Sequence, residues 1–165
     1  MNINYSRFVL LPLLLVSLCF SLPATSMGKT PSYFPILNDV KAESERHPKQ
    51  MFLVLVSQTG CIPCANLTNK VLMPLKVSGD YSGKVVFREI SLDSGETIVN
   101  FAGQTLETQA FVSGFTEPMS PTLLFLSPEG EELHEAMKGV GPLELYSYYV
   151  EKAIDKGLKA LSTKI

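Results

Sequence analysis

The sequence contains no tryptophan, only two histidines and three cysteines, and no run of basic residues. Its 14 basic and 16 acidic residues give a formal net charge of −2. A weakly acidic chain without a basic patch lacks the electrostatic footprint of proteins that bind nucleic acid. We therefore expect no nucleic-acid partner.

A long apolar run is confined to the N-terminus, from Phe8 to Leu22. About fifteen residues are too few for a membrane-spanning helix, which needs roughly 20. The small residues Ala24 and Ser26 follow it with the spacing of a signal-peptidase cleavage site. We interpret residues 1–26 as a secretory signal peptide and residues 27–165 as one domain. An uncleaved N-terminal anchor is the alternative.

The cysteine count falls to two if the signal peptide is removed, because Cys19 leaves with it. Secreted proteins that rely on disulfides for stability usually join distant segments with several cysteines. The remaining pair, Cys61 and Cys64, closes a very short loop, and cross-link stabilisation grows with loop length. We interpret this pair as chemically active.

The hydrophobic pattern predicts an α/β domain. Predicted helices cover residues 36–46, 62–77, 106–112 and 143–158, and predicted strands cover residues 51–57, 84–92, 122–126 and 132–137. Pro74 is expected to kink the second helix. Two glycines within residues 93–105 surround a short apolar piece, which predicts a small hairpin or loop insertion.

The C-x-x-C motif at residues 61–64 lies between the predicted strand 51–57 and the helix that follows it. A helix N-terminus provides partial positive charge and free N–H groups, which stabilise a thiolate. We predict that Cys61 is the exposed nucleophile and that Cys64, one turn inward, is the resolving thiol. Pro63 should stiffen the first helical turn without the loss of a hydrogen bond. The motif therefore predicts thiol–disulfide exchange.

Three further features accompany this motif: the segment Ser120-Pro121-Thr122 before a later strand, the glycine corner at residues 139–141, and the order of the elements. Together they resemble the thioredoxin superfamily, and residues 98–103 are similar to secreted thioredoxin-like proteins of the SoxW type. The resemblance implies a thioredoxin-like α/β fold with a central mixed β-sheet flanked by helices in three α/β/α layers. It also implies that Pro121 is cis and lies against the cysteine pair.

The same resemblance implies a substrate-binding rim around the cysteines. The backbone of Ser120 would hydrogen-bond an extended partner segment in the manner of a strand, and apolar neighbours would form a lip. The predicted substrate-binding residues are Ile62, Pro63, Met119, Ser120, Pro121 and Val140. An ordinary packing role is the alternative for Met119.

The chain departs from the thioredoxin pattern at Leu55, where thioredoxins carry a buried aspartate that accepts a proton from the resolving cysteine. Glu89, on the neighbouring predicted strand, is the candidate replacement as a proton relay. The alternatives are that Glu89 faces solvent or pairs with a nearby cation such as Arg88.

The apolar pair between the two cysteines resembles reducing thioredoxins. We therefore expect a periplasmic, monomeric disulfide reductase that acts on disulfide-containing proteins and is recharged by a membrane-bound electron donor, with no cofactor beyond its own cysteine couple. A disulfide-forming or isomerising catalyst, a metal-binding carrier and a redox-inert interaction module are the alternatives. We expect no metal site, because His47 and His134 lie far from the cysteines in sequence and a closed zinc site needs four ligands.

Overall fold

Five α-helices and six strands lie within residues 32–163, the part of the chain that the computed structural model describes. The helices are α1 (Val40–Arg46), α2 (Ile62–Leu67), α3 (Met73–Ser78), α4 (Thr108–Ser113) and α5 (Leu143–Ser162), with a π-helical turn at Thr68–Leu72 between α2 and α3. The strands are β1 (Met51–Ser57), β2 (Val85–Ser91), β3 (Thr97–Val99), β4 (Thr105–Glu107), β5 (Thr122–Leu126) and β6 (Glu132–Lys138). The predicted signal peptide lies outside the described residues.

The main sheet has four strands in the order β2-β1-β5-β6. Strand β1 runs parallel to β2 and antiparallel to β5, and β5 is antiparallel to β6. All seven residues of β1 are buried, as expected for a central strand that is covered on both faces. The predicted mixed sheet is therefore confirmed.

Alternate residues of β1 contribute to two hydrophobic cores, because successive side chains of a strand point to opposite faces. Leu53 and Leu55 pack in one core with Ile154 of α5 and with the helical segment after the C-x-x-C motif. Val54 packs in the other core with residues of α1 and α4. Helices thus cover both faces of the sheet, which confirms the predicted three-layer α/β/α fold.

Helix α1 begins at Val40, so the predicted start at residue 36 is wrong. Ile36 and Asp39 instead form extended bridges with Glu89 and Val99. Asp39 is the N-cap, and its carboxylate accepts a hydrogen bond from the Ala42 N–H at 2.9 Å. Extended pairing and the cap therefore delay the helix by four residues.

The predicted helix over residues 62–77 is interrupted by the π-helical turn, which ends two residues before Pro74. Proline has no N–H to donate to the preceding turn, and a π turn is one way in which a helix accommodates such a break. The interruption lies just before Pro74, and the predicted kink at Pro74 stays a prediction.

The small hairpin or loop insertion predicted within residues 93–105 is a hairpin of β3 and β4, in which Ile98 pairs with Leu106, and it extends to Glu107, beyond the predicted range. Because Leu106 belongs to this hairpin, α4 begins at Thr108 and the predicted start at residue 106 is wrong. Among the helices of residues 32–163, none combines the length and the apolar character needed to cross a bilayer.

Candidate active site

A tight turn carries the chain from the end of β1 to Cys61. Gly60 has a φ of +72°, a left-handed conformation that glycine adopts without steric strain. The Asp93 carboxylate accepts hydrogen bonds from the Thr59 N–H at 3.0 Å and from the Ser91 hydroxyl at 2.9 Å. Although burial acts in the opposite direction, these hydrogen bonds hold the pKa of Asp93 below its usual value. An ionised Asp93 thus anchors the turn two residues before Cys61.

The two cysteines form a disulfide with an S–S distance of 2.00 Å and a Cα–Cα distance of 5.2 Å. Cys61 is the N-cap of α2, and its Sγ accepts a hydrogen bond from the Cys64 N–H at 3.1 Å. Cys61 is partly exposed, whereas Cys64 is only 5% exposed. After reduction, the same N–H group would donate to a thiolate on Cys61, the sulfur that a partner can reach.

The predicted substrate-binding rim lies at the same end of the sheet as the cysteines. Thr122 pairs with Val56 near the end of β1 and with Lys138 at the end of β6. The Ser120–Pro121 peptide bond, which is cis, therefore approaches the C-x-x-C turn together with the glycine corner. The Pro121 carbonyl accepts a hydrogen bond from the Gly139 N–H at 2.8 Å.

The apolar members of this rim differ in exposure. Ile62 is 72% exposed and Met119 is also exposed, while Val140 is half-buried and packs against the core. The corner that carries Val140 is fixed by the Tyr146 hydroxyl, which donates to the Gly139 carbonyl at 2.8 Å. Burial raises the pKa of Tyr146 to about 12, so this donor stays protonated at neutral pH.

A cavity of about 510 Å³ is bordered by both cysteines and by the end of β2. Its walls come from the N-terminal segment, the ends of β1 and β2, and α2 with the π turn. The lining residues are Ser32, Tyr33, Ile36, Leu55, Ser57, Gln58, Thr59, Gly60, Cys61, Ile62, Cys64, Ala65, Thr68, Glu89, Ser91 and Ser94. Of the predicted rim, only Ile62 borders this cavity.

Glu89 lines this cavity and is only 7% exposed. It pairs with Leu55 across the two parallel strands. Its Oε1 accepts a hydrogen bond from the Ser57 hydroxyl at 2.6 Å, and its Oε2 accepts one from the Tyr33 N–H at 3.2 Å. The buried carboxylate therefore lines the same cavity as Cys61 and Cys64.

Arg88 does not pair with Glu89. Its guanidinium binds the Glu43 carboxylate on the opposite face of the sheet, with a Nε–Oε2 distance of 2.9 Å. Adjacent strand residues point to opposite faces, which separates the two charges. No lysine, arginine or histidine within residues 32–163 forms an ion pair with Glu89.

Tyr33, Ser57 and Thr68 are among the cavity residues that were not identified from the sequence. Ser57 ends an otherwise apolar strand, and that contrast is a usable signal for a functional hydroxyl. Thr68 is completely buried in the π turn, and its hydroxyl has no hydrogen-bond partner in the described part of the chain. Tyr33 contributes a backbone N–H, which no sequence pattern reveals.

Within residues 32–163, no group of three or more His, Cys, Asp or Glu side chains is arranged to hold a metal ion. His47 stacks edge-on against Phe52, and His134 stacks in the same way against Phe125. Neither histidine lines the cavity beside the disulfide.

The solved thioredoxin of Fasciola hepatica shares the fold of this chain, and further solved structures are similar to it. The thioredoxin of Fasciola hepatica is 13% identical, with 75% of this chain and 99% of that chain covered and a TM-score of 0.52. A thioredoxin-fold protein from Helicobacter pylori is 15% identical over 69% of this chain and 83% of that chain, with a TM-score of 0.47. The thioredoxin pre-protein of Schistosoma mansoni is 19% identical over 76% of this chain and 98% of that chain, with a TM-score of 0.49.

No curated protein matches this chain significantly in sequence. The family model of the thioredoxin-like domain matches residues 37–154, which include the C-x-x-C motif, both parallel strands and most of α5. The chain therefore belongs to the thioredoxin-like domain family.

Proposed function

We propose that this protein is a periplasmic thiol–disulfide oxidoreductase of the SoxW type that reduces disulfides in other proteins. The observation that carries the proposal is the disulfide between a reachable Cys61 and a buried Cys64 at the first turn of a helix. This asymmetry suits a couple in which one sulfur meets the partner and the other resolves the intermediate.

The reaction begins with the reduced protein. The Cys61 thiolate attacks one sulfur of the partner's disulfide, forms a mixed disulfide and releases the partner's other sulfur as a thiolate. Cys64 then loses its proton and attacks the Cys61 sulfur. This step releases the reduced partner and leaves the Cys61–Cys64 disulfide seen in the structure. Two electrons pass to the partner, and a membrane-bound dithiol donor returns them.

Glu89 is the proposed acceptor of the Cys64 proton. Both residues line the same cavity, and the carboxylate is held by Ser57 and Tyr33 in a buried position. A base with access to the resolving thiol promotes the second step, in which Cys64 must become a thiolate.

The partner segment is proposed to lie across the rim. The backbone of Ser120 beside Pro121 would pair with an extended segment, and the exposed Ile62, Pro63 and Met119 with the half-buried Val140 would contact its side chains. The apolar residues between the two cysteines favour a reducing role over disulfide formation.

Disulfide reduction in insulin by the purified protein tests the activity. We expect turnover with a dithiol donor, no turnover for Cys61→Ser, and a trapped mixed disulfide for Cys64→Ser. The reduction potential decides the direction: about −270 mV supports a reductant, whereas about −120 mV would indicate an oxidant. A cysteine couple that stays oxidised under all conditions, or a Cys61→Ser variant with full turnover, would refute the proposal.

The proton relay is tested by Glu89→Gln, which keeps the shape of the side chain and removes its basicity. We expect slower release of the partner and an altered dependence of turnover on pH. Glu132→Gln, an exposed position on β6, is the matched control for the loss of one negative charge. A pH profile that Glu89→Gln leaves unchanged would eliminate the relay.

A further inference from the structure

The cavity beside the disulfide has the size of a ligand pocket and is open near the reactive sulfur. Its volume of about 510 Å³ falls within the range of roughly 300–1,000 Å³ that is typical of ligand pockets. Cys61 and Ile62 stand at its border, and both are reachable from solvent. A group that enters this cavity would therefore lie next to the mixed disulfide.

The walls of the cavity are largely apolar. Ile36, Leu55, Ile62 and Ala65 contribute aliphatic surface, and Tyr33 contributes a ring. Such walls favour a hydrocarbon stem, because contact with it removes apolar surface from water.

The polar groups of the cavity determine which chemical group the stem can carry at its end. Glu89 brings a carboxylate that has two hydrogen bonds and no ion-pair partner within residues 32–163. A buried carboxylate is stabilised by an opposite charge, and among residues 32–163 no basic side chain lines the cavity to provide one. The electrostatics favour a cation and disfavour an anion.

Thr68 gives an independent indication of a ligand. Thr68 lines the same cavity, and its hydroxyl is completely buried and has no hydrogen-bond partner in the described part of the chain. Buried hydroxyl groups in native proteins are nearly always satisfied. An ammonium group has three donors, and the Glu89 carboxylate, the Thr68 hydroxyl and the Ser57 hydroxyl offer acceptors for them.

We propose that this cavity binds a lysine or arginine side chain of the protein substrate, close in sequence to the cysteine that Cys61 attacks. The inference rests on the proposed function and adds the substrate class: proteins whose reducible disulfide is flanked by a basic residue. The aliphatic stem lies along the apolar walls, and the cationic end meets Glu89 and Thr68. The rim around Ser120 and Pro121 holds the backbone of the same segment.

The test uses peptides with an internal disulfide in which the residues flanking the attacked cysteine are lysine, norleucine or glutamate. Norleucine keeps the stem and lacks the ammonium group. We expect kcat/KM at low salt to be about tenfold higher for the lysine peptide than for the norleucine peptide, and lowest for the glutamate peptide. Equal values for lysine and norleucine would overturn the inference.

Substitutions inside and outside the cavity then test whether the preference for lysine arises there. Glu89→Gln should reduce the lysine-to-norleucine ratio to about one, whereas Glu132→Gln, which removes the same charge on exposed β6, should keep it. Thr68→Val should lower the ratio, and Thr122→Val should not, since Thr122 is also a buried threonine without a partner but lies outside the cavity. Because each ratio is taken within one variant, a change in basal turnover cancels. An unchanged ratio in Glu89→Gln contradicts the proposed site.

A second readout separates this inference from the proton relay. The equilibrium constant for a mixed disulfide between each peptide and Cys64→Ser does not require the second chemical step. We expect this constant to be about tenfold larger for lysine than for norleucine. If insulin is reduced and all peptides react equally, the substrate preference fails alone. If neither insulin nor any peptide is reduced, the proposed function fails and this inference with it.

Discussion

Replacement of Thr68 by valine should stabilise the protein, although the residue lies in the core next to the active site. The side chain is completely buried, and its hydroxyl has no hydrogen-bond partner in the described part of the chain. Burial of an unsatisfied hydroxyl costs about 1–3 kcal/mol. Valine has nearly the same shape and leaves no polar atom. We therefore expect the free energy of unfolding to rise by about 1 kcal/mol and the melting temperature by roughly 3 °C.

Urea unfolding of the oxidised protein, followed by far-ultraviolet circular dichroism, measures the effect. Thr122→Val is the positive control, because the Thr122 hydroxyl is also buried and without a partner in residues 32–163. Ser57→Ala is the opposite control, since the Ser57 hydroxyl donates to buried Glu89 at 2.6 Å. Its loss should lower the free energy of unfolding by about 2 kcal/mol.

A Thr68→Val variant that is destabilised as much as Ser57→Ala would contradict the expected gain in stability. That result would mean that the Thr68 hydroxyl already has a partner. If Thr68→Val raises the free energy of unfolding and also lowers the preference for the lysine peptide, ligand binding explains the threonine at position 68. Residues that bind ligands often reduce stability.

Three further substitutions test the structure elsewhere. Arg88→Met removes one of the two guanidinium groups that bind the buried Glu43 carboxylate and leaves only that of the exposed Arg46, so urea unfolding at pH 7 should show a loss of about 1.5 kcal/mol. Burial raises the pKa of Tyr146 to about 12. Near pH 10 the unfolded chain therefore loses the phenolic proton of Tyr146, while the folded protein keeps it. The free energy of unfolding should consequently fall between pH 10 and 12. In Tyr146→Phe, unfolding measured across this range should show a smaller fall, and an equal fall would contradict the assignment. Gly157→Ala would place a Cβ 2.6 Å from the sulfur of Met51 in the core. This overpacking should outweigh the gain in helix propensity of about 1 kcal/mol, so the melting temperature should fall. A rise in the melting temperature would show that Met51 can move aside.

The sequence predicted the elements whose signal is local. Strands 51–57 and 122–126 match the structure residue for residue, because a continuous apolar run marks a strand that is buried on both faces. A small hairpin or loop insertion was also predicted where β3 and β4 lie, since glycines and a short apolar piece indicate it locally. The starts of α1 and α4 were wrong, because pairing with Glu89, Val99 and Ile98 holds the preceding residues in an extended conformation.

The cysteine pair could be predicted from the C-x-x-C motif after a buried strand, because its residues are adjacent in the chain. The fold class could be predicted once the Ser-Pro-Thr segment, the glycine corner and the order of the elements were added to this motif. The surroundings of Glu89 depend on contacts between distant segments. Strand alternation shows that Arg88 and Glu89 face opposite sides, but only the packing of α1 places Glu43 beside Arg88 and leaves Glu89 to face the cavity. The cavity itself, with the buried hydroxyl of Thr68 and the backbone N–H of Tyr33, arises where the N-terminal segment, two strands and the π turn meet, and residue order along the chain does not reveal which atoms meet there.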